Sequence, residues 1–435
     1  MGAVCLLGAL AVVGCTAVTP DPTAAVAAKS AEAAPMAAAK VALQFGPNTT
    51  AAPGPAPAAI AKFSWSALAG SPLGYRNSPL LTWADGRLFE LGGWPAGSTG
   101  HSAAAAAYDP ATGQWKRIAS APPGGSFADG DSSVVWTGQY LAVSSGNGEA
   151  CPGHPAPAAH CWTGLALYNP TLNRWTVLAV PRQFDGLSMG AVVWTGHDLI
   201  VGAAAESATN PNAGQLALAA YSPTTRRWQP ITPALPRGHT PGALNLVYDD
   251  GRLLLWSFWQ DAVKPGTWGV DVLTMNARGV WRNVTGTWPQ GTEFGLTATG
   301  AGILVAPGGY WCGDLCTGFN TSGADAYFAN PATLALKRIP AGPLSELSPG
   351  SFGFVWAGDA IIAVSTLSGA TGPTAHPILP GDMAMFDPAT QRWTELPATP
   401  GHSQATGDSV WTGSELLTLT TDGQLLAFHA DHAAR

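Results

Sequence analysis

Between residues 80 and 118, short apolar runs alternate with turn residues, at 80–83, 87–92, 103–108 and 114–118. Runs of this length bounded by Gly, Pro and Asp read as β-strands, so the stretch predicts four strands in one unit. Asp85-Gly86 suits a tight turn between the first two strands. Asp109-Pro110 with Gly113 suits another between the last two, because Pro fixes φ and Gly accepts positive φ. Only the connection between the second and third strands is long.

The unit recurs. The residue near the end of its first strand has equivalents at Trp83, Trp136, Trp194, Tyr248, Ala298, Trp356 and Trp411, a period of about 50 to 58 residues. A second landmark is an aromatic, then Pro, then Trp five residues after the Pro: Tyr108/Pro110/Trp115, Tyr168/Pro170/Trp175, Tyr221/Pro223/Trp228 and Phe386/Pro388/Trp393. Two copies are worn, since Trp281 lacks the Pro and Pro331 is followed by Leu336 in place of Trp. The last copy supplies three strands, at 409–411, 415–420 and 424–430, and has no fourth. Residues 63–69 have the form of that fourth strand, with Trp65 matching Trp115. The pattern therefore predicts an all-β ring of seven four-stranded units, closed by an N-terminal strand that completes the last one and leaves no open edge between first and last.

A period near fifty, a Gly-Gly after the second strand, and a Tyr and Trp in the third and fourth strands resemble the kelch repeat, over residues 63–430. The double glycine stands only at Gly92-Gly93 and Gly308-Gly309. YDPATGQW is also similar to the turn of quinoprotein-type propellers, but the Pro-to-Trp spacing of four copies fits kelch better. The resemblance implies a seven-bladed β-propeller like the central domain of galactose oxidase. In such blades the second-to-third and fourth-to-first connections emerge on one face. Those are the long ones here, so a binding site is expected on that face.

Residues 1–14 are apolar and end at Cys15. The run is shorter than the roughly 20 residues a membrane-spanning helix needs. It resembles the hydrophobic part of a bacterial lipoprotein signal, with Val12-Val13-Gly14-Cys15 as a permissive lipobox, although no Lys or Arg precedes it. The resemblance implies cleavage before Cys15, a lipid on its thiol and an extracytoplasmic location. Residues 15–60 are mostly Ala, Pro, Thr and Ser, too poor in large apolar side chains to offset the entropy of ordering, and read as a tether. Its ends would lie on the order of 40 Å apart as a flexible coil. The propeller domain is expected over 61–435.

Composition narrows the function classes. Charged residues make up 11% and the net charge is −7, with no cluster of Lys and Arg, which argues against nucleic acid. Cys151 and Cys161 lie in one long loop, and Cys312 and Cys316 in another, so each pair can close a local disulfide in an oxidising compartment. His154 and His160 between the first pair leave a zinc site as the alternative, at a spacing that matches no standard site well.

No motif announces catalysis, a cofactor or a metal: there is no Gly-x-Ser-x-Gly elbow, His-Glu-x-x-His helix, phosphate-cradling loop or sialidase box. Tyr75, Tyr310, His101, His239, His376 and His402 could in principle serve a copper oxidase, but its thioether needs a cysteine better used in a local bridge. Asp129, Asp131, Arg182, Asp185 and Glu293 read as turn formers or solvated charges. Of 18 tryptophans, those outside the repeat are Trp94, Trp162, Trp256, Trp259, Trp268, Trp288 and Trp311. All but Trp256 fall in or beside long connections. Trp259, Trp288, Tyr310, Trp311 and Phe294 are therefore the candidate ligand surface, flat apolar rings suited to a sugar or a peptide. Packing beneath their own loops is the alternative. A monomeric binding or scaffold module for a glycan, peptide or partner protein is the expected function, with a carbohydrate-active enzyme (epimerase, oxidase or hydrolase) at the channel mouth as the alternative.

Overall fold

The computed structural model describes residues 60–77, 79–98, 102–122, 133–144, 164–185, 187–204, 215–236, 239–249, 251–261, 268–288, 294–299, 302–307, 326–330, 332–340, 342, 352–365, 381–402 and 405–432. Contacts divide the chain into Met1–Lys40 and Val41–Arg435, and every described residue belongs to the second unit. Residues 1–59, which hold the expected signal segment and all of the expected tether but Ile60, lie outside the described residues, and Ile60 opens the closing strand one residue before the expected start of the propeller.

Seven four-stranded antiparallel sheets form a ring, a seven-bladed β-propeller. Blade 1 is Leu80–Ala84, Arg87–Leu91, Ala105–Asp109 and Gln114–Ile118, in chain order across the sheet. Blades 2 to 6 repeat the order over 133–178, 188–231, 239–283, 294–338 and 352–396. Blade 7 takes Ala405–Trp411, Glu415–Thr420 and Leu425–His432 from the C-terminal end, and Ile60–Ala67 from the N-terminal end pairs with Leu425–His432 as its fourth strand. First strands of neighbouring blades pack along one another, which makes them the innermost.

The local chemistry works as the sequence requires. Asp85 and Gly86 take φ of 50° and 70°, the two positive values of a type I′ hairpin turn. The second strand of blade 1 stops at Leu91, one residue earlier than the pattern predicts, because Gly92 and Gly93 turn to φ of 71° and 79°.

The two landmark aromatics are cross-strand partners. Tyr108 faces Trp115, Tyr168 faces Trp175, Tyr221 faces Trp228, Phe386 faces Trp393 and Phe428 faces Trp65, with ring centroids 5.5, 5.1, 5.0, 5.2 and 5.2 Å apart. Each of these tryptophans also reaches into the preceding blade. Its indole N–H donates to the carbonyl just past that blade's fourth strand: Trp115 to Ala69 (2.7 Å), Trp175 to Ala119 (2.8 Å), Trp228 to Ala179 (2.9 Å), Trp393 to Pro340 (2.7 Å) and Trp65 to Pro397 (3.0 Å). The repeat's Trp is thus a clamp between blades. In the worn copies, Trp281 makes no such bond among the described residues, and the Leu336 side chain has no N–H to give.

Candidate functional site

On the long-loop face of blade 1, the connection entering from blade 7 and the loop after the second strand pair as a short ribbon, Arg76–Asn77 with Trp94–Pro95. Gly93 makes that approach possible. A Cβ there would stand 3.1 Å from both Arg76 Cβ and the Asn77 carbonyl. The ribbon and the turn after it line an open groove of about 820 Å³, walled by Tyr75, Asn77, Trp94, Pro95, Ala96, Gly97 and Ser98. Tyr75 is 41% exposed and donates its hydroxyl to Asn77 Oδ1 at 3.2 Å. Trp94 is half-buried. Aromatic wall and amide or hydroxyl edges give the groove both stacking and hydrogen-bonding character, without a charged side chain.

Beside the ribbon lies a buried charged group. Glu90 is fully buried in the second strand, and Arg76 is 6% exposed. Burial raises the Glu90 carboxyl to about 7, against the hydrogen bond from Ser71 and the charges of Arg76 and Arg117, which pull it down. Glu90 Oε1 and Arg76 Nε and Nη1 find no partner among the described residues. Glu90 lies on the same side of its strand as Leu88, which packs against Leu417, Leu419 and Leu425 of blade 7. The group therefore belongs to the junction that closes the ring.

Blade 4 carries the second feature of this face. His239 opens its innermost strand, His239–Asp249, and its Nδ1 lies 2.7 Å from Oδ2 of Asp271, whose side chain is 3% exposed. Burial raises the Asp271 carboxyl and the His239 hydrogen bond opposes that. The imidazole stacks on Trp259 with centroids 3.6 Å apart and planes at 15°. Trp259 in turn needs Gly269 opposite it, because a Cβ there would stand 2.4 Å from the indole. Asp271 anchors one ring nitrogen and Trp259 fixes the plane, so Nε2 is the atom His239 can present to a ligand.

These placements change the reading of the predicted aromatic surface. Trp288 is 4% exposed and packs with Trp256, Val270, Val272 and Leu296 between blades 4 and 5. It is core, not platform, because the 3₁₀ turn Thr285–Thr287 folds it back over the blade. Trp259 has one face already taken by His239. Phe294 opens the first strand of blade 5, opposite Pro307. Tyr310, Trp311, Cys15, Cys151, Cys161, Cys312 and Cys316 lie outside the described residues, as do His101, His376, Asp129, Asp131 and Glu293. Arg182 opens a short 3₁₀ turn, Arg182–Phe184, and Asp185 ends it, its backbone N–H donating to the Arg182 carbonyl. His402 pairs with Asp382 at 3.4 Å. Among the described residues, no three His, Cys, Asp or Glu side chains converge as metal ligands.

Sequence reasoning passed over Asp271 and Glu90. The available signal was a lone carboxylate inside an apolar strand, GVDVL and LFEL, where burial of a charge demands a reason.

No family model matches the chain, and no curated protein matches it. Among solved structures the chain is similar to one in a crystal structure of a mitotic checkpoint complex, at 14% identity and a TM-score of 0.49, covering 94% of this chain and all of that one.

Proposed function

We propose that the protein is a kelch-like propeller that works as a binding module through its long-loop face. It is exported and held to the membrane by a lipid on Cys15. The groove of Tyr75, Asn77 and Trp94 carries this reading: an open, uncharged, aromatic-walled cleft on the face where the long loops gather suits a neutral glycan or an extended peptide. The cross-strand Tyr–Trp pairs support kelch-type blades. Glycan and peptide arrays probed with the purified protein test the proposal. Tyr75→Ala and Trp94→Ala should each weaken the captured ligand at least about tenfold, the size expected when a stacked aromatic is lost, with the melting temperature held. Unchanged binding in both variants sinks the groove.

Export with local bridges predicts Cys151–Cys161 and Cys312–Cys316 in non-reducing peptide maps, and Cys15→Ala should release the protein from membranes. Four free thiols refute the bridges, and retention of the variant refutes the anchor. A second reading, an enzyme of carbohydrate chemistry, has the His239–Asp271 pair in its favour, since an imidazole oriented by a buried carboxylate is suited to proton transfer. His239→Ala should then abolish turnover of the captured glycan and leave its binding in the blade 1 groove intact.

A further inference from the structure

Blade 7 aligns a hydroxyl, an imidazole and a carboxylate from three adjacent strands. Ser66 stands on the closing strand Ile60–Ala67, His429 on Leu425–His432, and Glu415 at the head of Glu415–Thr420. The Ser66 hydroxyl lies 2.9 Å from His429 Nε2. His429 Nδ1 lies 3.1 Å from Glu415 Oε2. The carboxylate thus selects the tautomer with the proton on Nδ1, and the Nε2 lone pair is left to accept from Ser66. Solvent reaches the set, since the His429 and Glu415 side chains are 37% and 21% exposed and Ser66 is half-buried.

The repeat supplies internal controls. Positions equivalent to Glu415, His429 and Ser66 are Arg87, Asp109 and Lys116 in blade 1, Tyr140, Asn169 and Thr176 in blade 2, Asp198, Ser222 and Gln229 in blade 3, and Ala360, Asp387 and Thr394 in blade 6. Blade 1 uses two of these positions for an ion pair, Arg87 with Asp109 at 3.8 Å. None of the four reproduces the nucleophile, base and carboxylate. The fold alone therefore does not ask for them.

Backbone donors stand close by. Leu68 N–H bonds to Leu425 O at 2.9 Å, in register with the Ser66–Ala427 pair. Ser66 therefore belongs to the hydrogen-bonded set, and the N–H groups of Trp65 and Ala67 point outward along the edge of the blade. Outward N–H groups flanking a nucleophile are the kind of donor an acyl-transfer oxyanion needs.

We infer that Ser66, His429 and Glu415 form a nucleophile site that cleaves activated esters. Ser66 Oγ bonds to the acyl carbon as its proton passes to His429 Nε2, and the ester C–O bond breaks with its electron pair on the departing oxygen, which takes that proton from the imidazolium and leaves as the alcohol or phenol. Neutral His429 then takes a proton from water, whose oxygen bonds to the acyl carbon; the acyl–Oγ bond breaks, the proton on Nε2 passes to Ser66 Oγ, and the acid is released. Ser66 and His429 are the catalytic residues, and Glu415 is a positioning residue.

The test uses the purified full chain with a fluorophosphonate probe and p-nitrophenyl acetate. Wild-type protein should take one label, mapped to the peptide holding Ser66, and release nitrophenolate. Ser66→Ala should lose both, and His429→Ala should slow both by about 100-fold. Glu415→Gln should lower kcat with KM held, and Glu415→Asp should recover part of the loss. Calorimetry on each variant separates lost chemistry from lost fold. A wild type that takes no label and hydrolyses no faster than Ser66→Ala overturns the inference, and so does a label that maps elsewhere. Variants that melt early from an unlabelled wild type would show the three groups to be a strand tie only.

Discussion

Ring closure rests on Trp65, and its removal gives a prediction whose size can be worked out. The ring packs on Phe428 at 5.2 Å, is half-buried, and clamps blade 7 to blade 6 through the Pro397 carbonyl. Truncating a fully buried Trp to Ala costs about 3–5 kcal/mol, so a half-buried one should cost about 2. The lost hydrogen bond adds about 1 kcal/mol, for a total near 3. An unfolding entropy of about 2.1 cal/mol/K per residue over 60–432 is about 0.8 kcal/mol/K, so Trp65→Ala should lower the melting temperature by about 4 °C. Trp65→Phe keeps most of the ring and loses the N–H, for about 1 °C. Trp281→Phe makes the same chemical change where no clamp exists among the described residues, and it should cost about 1 kcal/mol less. Scanning calorimetry on the three variants reads all of these. Equal losses for Trp65→Phe and Trp281→Phe would refute the clamp, and a Trp65→Ala protein that melts with the wild type would refute its role in closure.

Glu90 makes the closing junction sensitive to pH. Its folded carboxyl is raised from 4.5 to about 7, so its favourable contribution is full below about 4.5 and is lost as pH rises through 7. The cost of ionising it in place is on the order of 3 kcal/mol. Glu90→Gln removes that cost, so the variant's melting temperature should gain on the wild type between pH 4.5 and 8, and a constant difference would contradict the burial argument. Gly342→Ala places a Cβ 2.5 Å from the Trp393 ring and should cost about 1–3 kcal/mol by overpacking, read as a drop in melting temperature. Blade 5 has three-residue third and fourth strands, Tyr327–Ala329 and Leu336–Arg338, and Leu336 stands where the clamped blades carry their Trp. Its outer amides should exchange with deuterium ahead of those of blades 1 to 3, and equal protection would refute the clamp as a source of order.

What could be read from the sequence depended on how far apart the cause and its effect lie along the chain. Strand, turn and blade count were legible because short apolar runs, the turn residues that bound them and the Tyr–Trp pair act over short stretches of chain. Closure was legible because the missing fourth strand and the surplus first one carry the same landmark, Trp65 facing Phe428 as Trp115 faces Tyr108. The groove was not, since it depends on a two-residue ribbon, Asn77 opposite Trp94, too short to leave any periodic trace. Nor was the hydroxyl–imidazole–carboxylate line of blade 7, which joins Ser66 to residues more than 340 positions away. Assigning leftover tryptophans to the surface failed at Trp288 for a related reason. A long connection in a propeller can fold back across the gap between two wedge-shaped blades, and a large ring fills that gap better than it decorates a rim. The gap beside blade 5 has no repeat indole to fill or clamp it, since Leu336 stands in the Trp position. Leu336 and Trp288 pack in one cluster, so a loop tryptophan sits beside the position where the repeat's own ring is missing.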